Sequence, residues 1–214
     1  MLILSLDMKI PIGTIHYIPT GTNKLKDTYM TKLTIQSLES APSESKPLLQ
    51  KSIDAYGMLP NLHGVLASAP STLDAYQQMH ELFVNTSFDA EELTVVWQGI
   101  NVEHGCTYCV PAHTGIAHSM KVSQELIDAL RNEQPLPSAK LQALLDMTLE
   151  IVRERGRVSE ESLKAFYDAG YGERQVLEII LGVSQKVISN YTNHIANTPV
   201  DAPFQQFAWE KKAK

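Results

Sequence analysis

The sequence predicts an all-α protein. From residue 26 onward apolar residues recur at helical spacing almost without a break, strand signals are sparse, and no glycine-rich phosphate loop interrupts the pattern. No repeat is evident. The organisation expected is one helical domain over residues 26–198, an extended arm over 1–25 and a tail over 199–214.

The arm is assigned from Pro11, Gly13, Pro19 and Gly21, which lie among β-branched residues and read as extended chain with turns. Helices are predicted over 27–39 and 45–57, separated by the break Ala41-Pro42-Ser43. A short helix, Asn61–Leu66, follows Pro60. Ser71 and Asp74 form a capping-box start for a helix carrying Leu73, Tyr76, Met79, Leu82 and Phe83. Asp89 and Glu92 form a second, opening a helix whose core face is Leu93, Val96, Trp97 and Ile100. Ser123 caps a short helix through Leu126, Ile127 and Leu130. Past Pro135 and Pro137, the stripe Leu141, Leu144, Leu145, Leu149 and Val152 marks a longer helix that stops by Gly156. Ser159 opens the next, with Glu160 and Glu161 at the positive end of its dipole and Gly170 beyond its end. Residues 173–196 are apolar around much of the circumference, which predicts burial or contact with another subunit. Phe204, Phe207 and Trp209 predict that the tail docks on the body.

Composition narrows the function. The chain has 214 residues, 43% hydrophobic and 20% charged, with a formal net charge of -6 and no lysine- or arginine-rich run. That balance suits a soluble globular protein and speaks against nucleic acid or an anionic membrane as partner. Met1 to Lys9 has no basic start and no small-residue cleavage site, so it reads as mature sequence of a cytoplasmic protein.

Both cysteines of the chain lie in one stretch, Glu103-His104-Gly105-Cys106-Thr107-Tyr108-Cys109-Val110-Pro111-Ala112-His113. Cysteines three apart close almost no loop, so a bridge between them would add little stability; the pair is there for chemistry or for a metal. Gly105 separates the preceding helix from one expected to begin at Cys106. A free thiol has a pKa of about 8.5, and lowering that value by about one takes about 1.4 kcal/mol. A helix terminus supplies typically ~0.3–1 kcal/mol, too little by itself to make a strong nucleophile. His113 stands four residues after Cys109, on the same helical face, where its imidazole is expected to take the thiol proton and hold the thiolate. Cys106 is then the resolving thiol.

The run Gly105-Cys106-x-Tyr108-Cys109-Val110-x-Ala112-His113-Thr114 resembles the carboxymuconolactone decarboxylase family, in its alkylhydroperoxidase D-like branch. The resemblance extends over roughly residues 55–195 and includes Gly57-Met58-Leu59-Pro60-Asn61-Leu62 and Ala67-x-Ala69-Pro70. It implies an all-helical bundle assembled as a homo-oligomer, a trimer or hexamer. It also implies a peroxidase that needs no cofactor or metal. Cys109 would attack a small hydroperoxide, Cys106 would resolve, His113 would relay protons, and a dithiol donor (a lipoyl protein or a thioredoxin-like one) would restore the pair. The decarboxylase branch lacks the cysteines. One position departs: the family's relay glutamate falls on Thr94 here. Glu103, in the pattern E-x-x-C-x-x-C-x-x-x-H, is expected to replace it; Glu92 is the other candidate, although its capping role already explains it.

Two further functions fit the residues. Cys106, Cys109, His113 and either His104 or His118 could hold zinc in a non-catalytic or redox-sensing helical assembly protein. A lactone decarboxylase-type lyase follows from fold analogy alone.

Overall fold

A computed structural model describes residues 33–212, and the predicted N-terminal arm lies outside them. Among the described residues every regular element is helical: α1 (Lys46–Tyr56), α2 (Asn61–Leu66), α3 (Pro70–Val84), α4 (Ala90–Glu103), α5 (Cys109–Ser119), α6 (Gln124–Arg131), α7 (Ala139–Arg153), α8 (Glu160–Asp168) and α9 (Glu173–Ala196), with short 3₁₀ turns at Ser43–Ser45 and Ala202–Phe207. No helix among them is long and apolar enough to cross a membrane.

Local chemistry sets most boundaries. Asp89 accepts from the Glu92 N–H at 2.9 Å, and the Glu92 carboxylate accepts from the Asp89 N–H at 3.1 Å, closing the expected capping box of α4. Ser123 and Ser159 cap α6 and α8 through their hydroxyls, as expected. Gly57, at φ 70°, supplies the left-handed residue that ends α1.

Two expectations fail. The capping box at Ser71 is not formed: Ala69 is the extended N-cap and Pro70 takes the first helical position, where its missing N–H costs nothing. The helix predicted over 27–39 is absent from its described part, residues 33–39. There the Gln36 N–H donates to the Gly64 carbonyl at 2.9 Å, and the Ser37 and Ser40 hydroxyls accept backbone N–H groups that a helix would need. Gly64 permits this approach, since a Cβ there would lie 2.7 Å from the Ile35 side chain.

Helix α4 is the hub, packed against α5, α6, α7 and α9. Residues 92–102 are all buried, and Trp97, Ile100, Phe83, Leu126, Leu144 and Ile179 form the centre of the main core. A smaller core joins Leu49, Leu62, Leu66, Leu73 and Tyr76 to both cysteines. The tail docks along α5 and α6. Asp201 accepts from the Asn61 N–H at 2.9 Å and the Tyr108 hydroxyl at 2.5 Å. Phe204 lies against Gly115, where a Cβ would come within 2.6 Å of its ring. Arg131 donates to the Phe207 and Ala208 carbonyls, and the Trp209 indole N–H donates back to the Arg131 carbonyl. Lys211 caps α4 by donating to the carbonyls of Val102 and Glu103.

Candidate active site

Gly105, at φ +66°, turns the chain out of α4, and α5 begins at Cys109 rather than at the expected Cys106. Cys106 lies ahead of the helix in the turn. Its backbone N–H is held by the Asn101 carbonyl at 2.9 Å, and its sulfur accepts the Cys109 N–H at 3.3 Å. The two sulfurs are thus brought together by a turn, with Cys109 at the positive end of α5. Both are buried free thiols.

The pair is chemically asymmetric. Burial pushes the Cys109 thiol up, but a hydrogen bond from Cys106, the charge of Lys186, and hydrogen bonds from Asn193 and Asn190 outweigh it, and the thiol is pulled down to about 6. The Asn193 amide donates to the Cys109 sulfur at 3.2 Å. Cys106, which donates its proton to Cys109 and is itself buried beside that charge, is pushed strongly up. The surroundings thus favour the charge on Cys109 and the proton on Cys106.

His113 is placed differently from expectation. It lines the same cavity as Cys109, but its Nε2 is engaged by the Lys186 ammonium at 2.5 Å, and its Nδ1 has no hydrogen-bond partner among the described residues. Burial, then the Lys186 charge, then His80, hold its pKa well below the ordinary value, so it stays neutral. The imidazolium expected to hold the thiolate does not form. The cationic group that draws the Cys109 thiol down is instead Lys186; burial lowers the lysine's own pKa, and the charges of Cys109 and Cys106 raise it.

Glu103 is also placed away from the sulfurs. Its carboxylate takes a bidentate pair from Arg153, at 2.9 and 2.7 Å, and faces a cavity whose lining (Gly99, Val102, Leu145, Leu149 and others) contains neither cysteine. Glu92 serves its cap and accepts from Lys140 and the Tyr171 hydroxyl. The zinc set is not assembled either. His104 pairs with Asn190 at 2.9 Å and His118 packs on Phe207, so neither faces the sulfurs, and no cluster of three or more metal-binding side chains occurs among the described residues.

The buried face of α9 is not anticipated by the sequence reading. Gln185, Lys186, Ser189, Asn190 and Asn193 recur at helical spacing and are all buried. The Trp97 indole N–H can only donate, so Gln185 Oε1 must accept it (2.9 Å), and the Gln185 amide N–H must then face His80 Nδ1 (3.1 Å). Trp97 also packs against His113, with ring centroids 4.8 Å apart. One helix face therefore orients two histidines and the reactive sulfur. The available signal is a lysine inside an otherwise apolar run, with amides at helical spacing around it.

The cavity over Cys109 holds about 180 Å³ and is walled by Tyr56, Met58, Leu62, Tyr76, Ile116 and Phe204 among others. His63 and His80 also line it, and burial pulls both down to about 4. The cavity thus sets the Cys109 sulfur among largely apolar walls and neutral histidines, with the Asp201 carboxylate on its rim tied to Tyr108 and Asn61.

The sequence matches no known family model and no curated protein. Solved structures resemble it clearly in fold. An uncharacterised peroxidase-related protein of Ralstonia eutropha JMP134, described as an alkylhydroperoxidase AhpD core, superposes with a TM-score of 0.72 at 19% identity, over 81% of this chain and 93% of that one. A peroxidase-related protein of Silicibacter sp. TM1040 gives 0.68 at 16% identity, over 85% and 97% of the two chains. The debrominase Bmp8, in complex with 2,3,4-tribromopyrrole, gives 0.68 at 16% identity, over 84% and 97%. At these identities the likeness is one of fold, and the fold of this protein is that of the alkylhydroperoxidase AhpD core.

Proposed function

We propose that the protein is a thiol-dependent oxidoreductase that reduces small hydroperoxides, with Cys109 as nucleophile and Cys106 as resolving thiol. The observation that carries this reading is the asymmetry of the pair: one thiolate at a helix start facing a cavity, and one thiol whose proton is directed at it. The Cys109 thiolate displaces the leaving oxygen and becomes a sulfenic acid. The Cys106 thiol then condenses with it, giving a disulfide and water. A dithiol donor returns the two electrons. The apolar walls exclude bulk water from the sulfenic acid and favour a small organic hydroperoxide. Glu103, held by Arg153, is given no step.

The exposed face of α9 supports assembly with further copies of the chain. Leu177, Ile180, Tyr191 and Ile195 form an outward apolar stripe at coiled-coil spacing along the helix, with Leu177 and Ile195 67% and 70% exposed.

The test is peroxide consumption with a panel of dithiol donors. Cys109→Ser is expected to abolish it, and Cys106→Ser to allow one turnover and then arrest. Consumption at the parent rate by the double variant would exclude the reading. The debrominase among the structural neighbours, together with the aromatic wall of the cavity, favours one second reading: the same dithiol reducing the carbon–halogen bond of a small heteroaromatic. Cysteine-dependent bromide release from a bromopyrrole, with no peroxide turnover, would select it.

A further inference from the structure

We infer that Lys186 is the positioning residue of the sulfur site: it is the counter-cation of the Cys109 thiolate and, through His113, the reserve of the proton that the leaving group takes. The second half of this role rests on the oxidoreductase reading above; the first half does not.

Lys186 sits in the middle of α9 with its side chain wholly inaccessible. A buried ammonium is strongly unfavourable unless an anion accompanies it. Among the described residues no carboxylate forms an ion pair with it. There its hydrogen-bond partner is the His113 imidazole, and the Trp97 ring, 5.9 Å away, adds a weak cation–π contact. The groups around it are His113 and Cys109 of α5, Cys106 of the preceding turn, His80 of α3 and Trp97 of α4, and the Tyr76 hydroxyl of α3 lies beside Cys109. Of these, the histidines are held neutral and burial keeps the Tyr76 hydroxyl protonated. Within this set only a cysteine can supply the negative charge. Burial pulls Lys186 down, and the charges of Cys109 and then Cys106 pull it back up.

The same arrangement has a direction for protons. Because Lys186 donates to Nε2 of a neutral imidazole, the imidazole proton sits on Nδ1. That N–H is buried without a partner among the described residues, an unusual state for a donor, beside a cavity that a substrate must enter. When the thiolate forms its S–O bond and the O–O bond breaks, the leaving oxygen can take the Nδ1 proton while Nε2 takes one from Lys186. Condensation of the sulfenic acid with the Cys106 thiol releases water and needs no further proton. The oxidised site then holds a disulfide and a neutral amine. Reduction by a dithiol returns two electrons and two protons, one to Cys106 and one to Lys186, and regenerates the Cys109 thiolate. Lys186 and the two cysteines together carry no net charge in either redox state, which is the condition under which a buried lysine is tolerable. This route supplies the proton path that Thr94 and the Arg153-bound Glu103 leave open.

The experiment is the pH dependence of Cys109 alkylation by iodoacetamide, which needs no peroxide, in the parent, Lys186→Met and His113→Leu proteins. The parent rate should rise through a midpoint near pH 6 and then level. Lys186→Met should move the midpoint above the free-thiol value of about 8.5, cutting the rate at about pH 6.5 roughly tenfold or more while leaving the alkaline plateau unchanged. A merely structural lesion would lower the rate at every pH. His113→Leu should keep the midpoint near the parent's yet lower peroxide turnover at least about tenfold. A Lys186→Met profile that overlays the parent, or a His113→Leu midpoint displaced as far as that of Lys186→Met, overturns the inference. If Lys186→Met does not fold, the thiolate's ultraviolet absorbance in the parent decides, a midpoint at or above about 8.5 being fatal. A lysine-dependent profile without turnover of any peroxide would sink the oxidoreductase reading and leave the ion pair standing.

Discussion

Helices α4 and α9 cross the middle of the protein and touch each other, yet their chemistry is arranged in opposite ways. Helix α4 is buried around its whole circumference, and its interior is mainly packing: Leu93, Val95, Val96, Trp97 and Ile100, with Gly99 admitting the Leu145 side chain to 2.7 Å of where a Cβ would sit, and with Gln98 and Asn101 hydrogen-bonded to neighbouring helices. Helix α9 packs Ile179 into the core in its first half, but further along it turns amides and a lysine inward and leaves several apolar residues outside. Its buried face carries amides and a lysine, and its exposed face carries Leu177, Ile180, Tyr191 and Ile195. The difference separates two uses of an interior. One fills space; the other orients a sulfur and two histidines by hydrogen bonds that water would otherwise weaken.

Substitutions that strike one helix and spare the other sharpen this contrast. The largest effect belongs to α4. Trp97→Ala leaves a cavity in the main core and removes the donor that fixes Gln185, so it should cost about 3–5 kcal/mol in urea denaturation, with the fold retained at low temperature. A cost under about 1 kcal/mol would mean that the α4 interior is not close-packed. Next comes acid, which acts on the hydrogen-bonded interior. His63 and His80 titrate near about 6.5 in an unfolded chain and near 4 in the folded one, so the unfolded state binds protons first. Their contribution is full above about pH 6.5 and is lost as pH falls toward about 4, on the order of 3 kcal/mol for each. Denaturation midpoints measured across that window should fall, and a flat profile would show that the two rings are not held neutral. The smallest effect is expected on the outer face of α9. Ile195→Asn and Leu177→Gln should change the stability of the single chain by no more than about 0.5 kcal/mol, while sedimentation shows the assembled species lost. Unchanged sedimentation would leave the apolar stripe without the role given to it here.

The same contrast explains what was legible in the sequence. Helix α4 announced itself through Asp89, Glu92 and an apolar face, α6 and α8 through serine caps, and α7 through its leucine stripe, because there local chemistry and core packing agree. The cysteine pair was legible because its spacing has no structural use. The environment that makes the pair asymmetric was not. Lys186 lies 77 positions beyond Cys109, and its charge means something only once α9 is laid against α5. Glu103 misled for the converse reason. It is near the cysteines in sequence, but the end of α4 points it at Arg153 of α7. The stretch 33–39 failed because its serine hydroxyls compete for backbone N–H groups, which periodicity does not register.

The docking of the tail has a consequence for the order of biosynthesis. Asp201 completes the hydrogen bonding of Tyr108 and Asn61, and Phe204 closes one wall beside Cys109, so residues far downstream finish a chamber whose other walls are made first. During translation the Cys109 sulfur faces an open cleft until those residues have left the ribosome. A nascent chain paused before them lacks this wall, so the chamber takes its closed form only once Asp201 and Phe204 have docked.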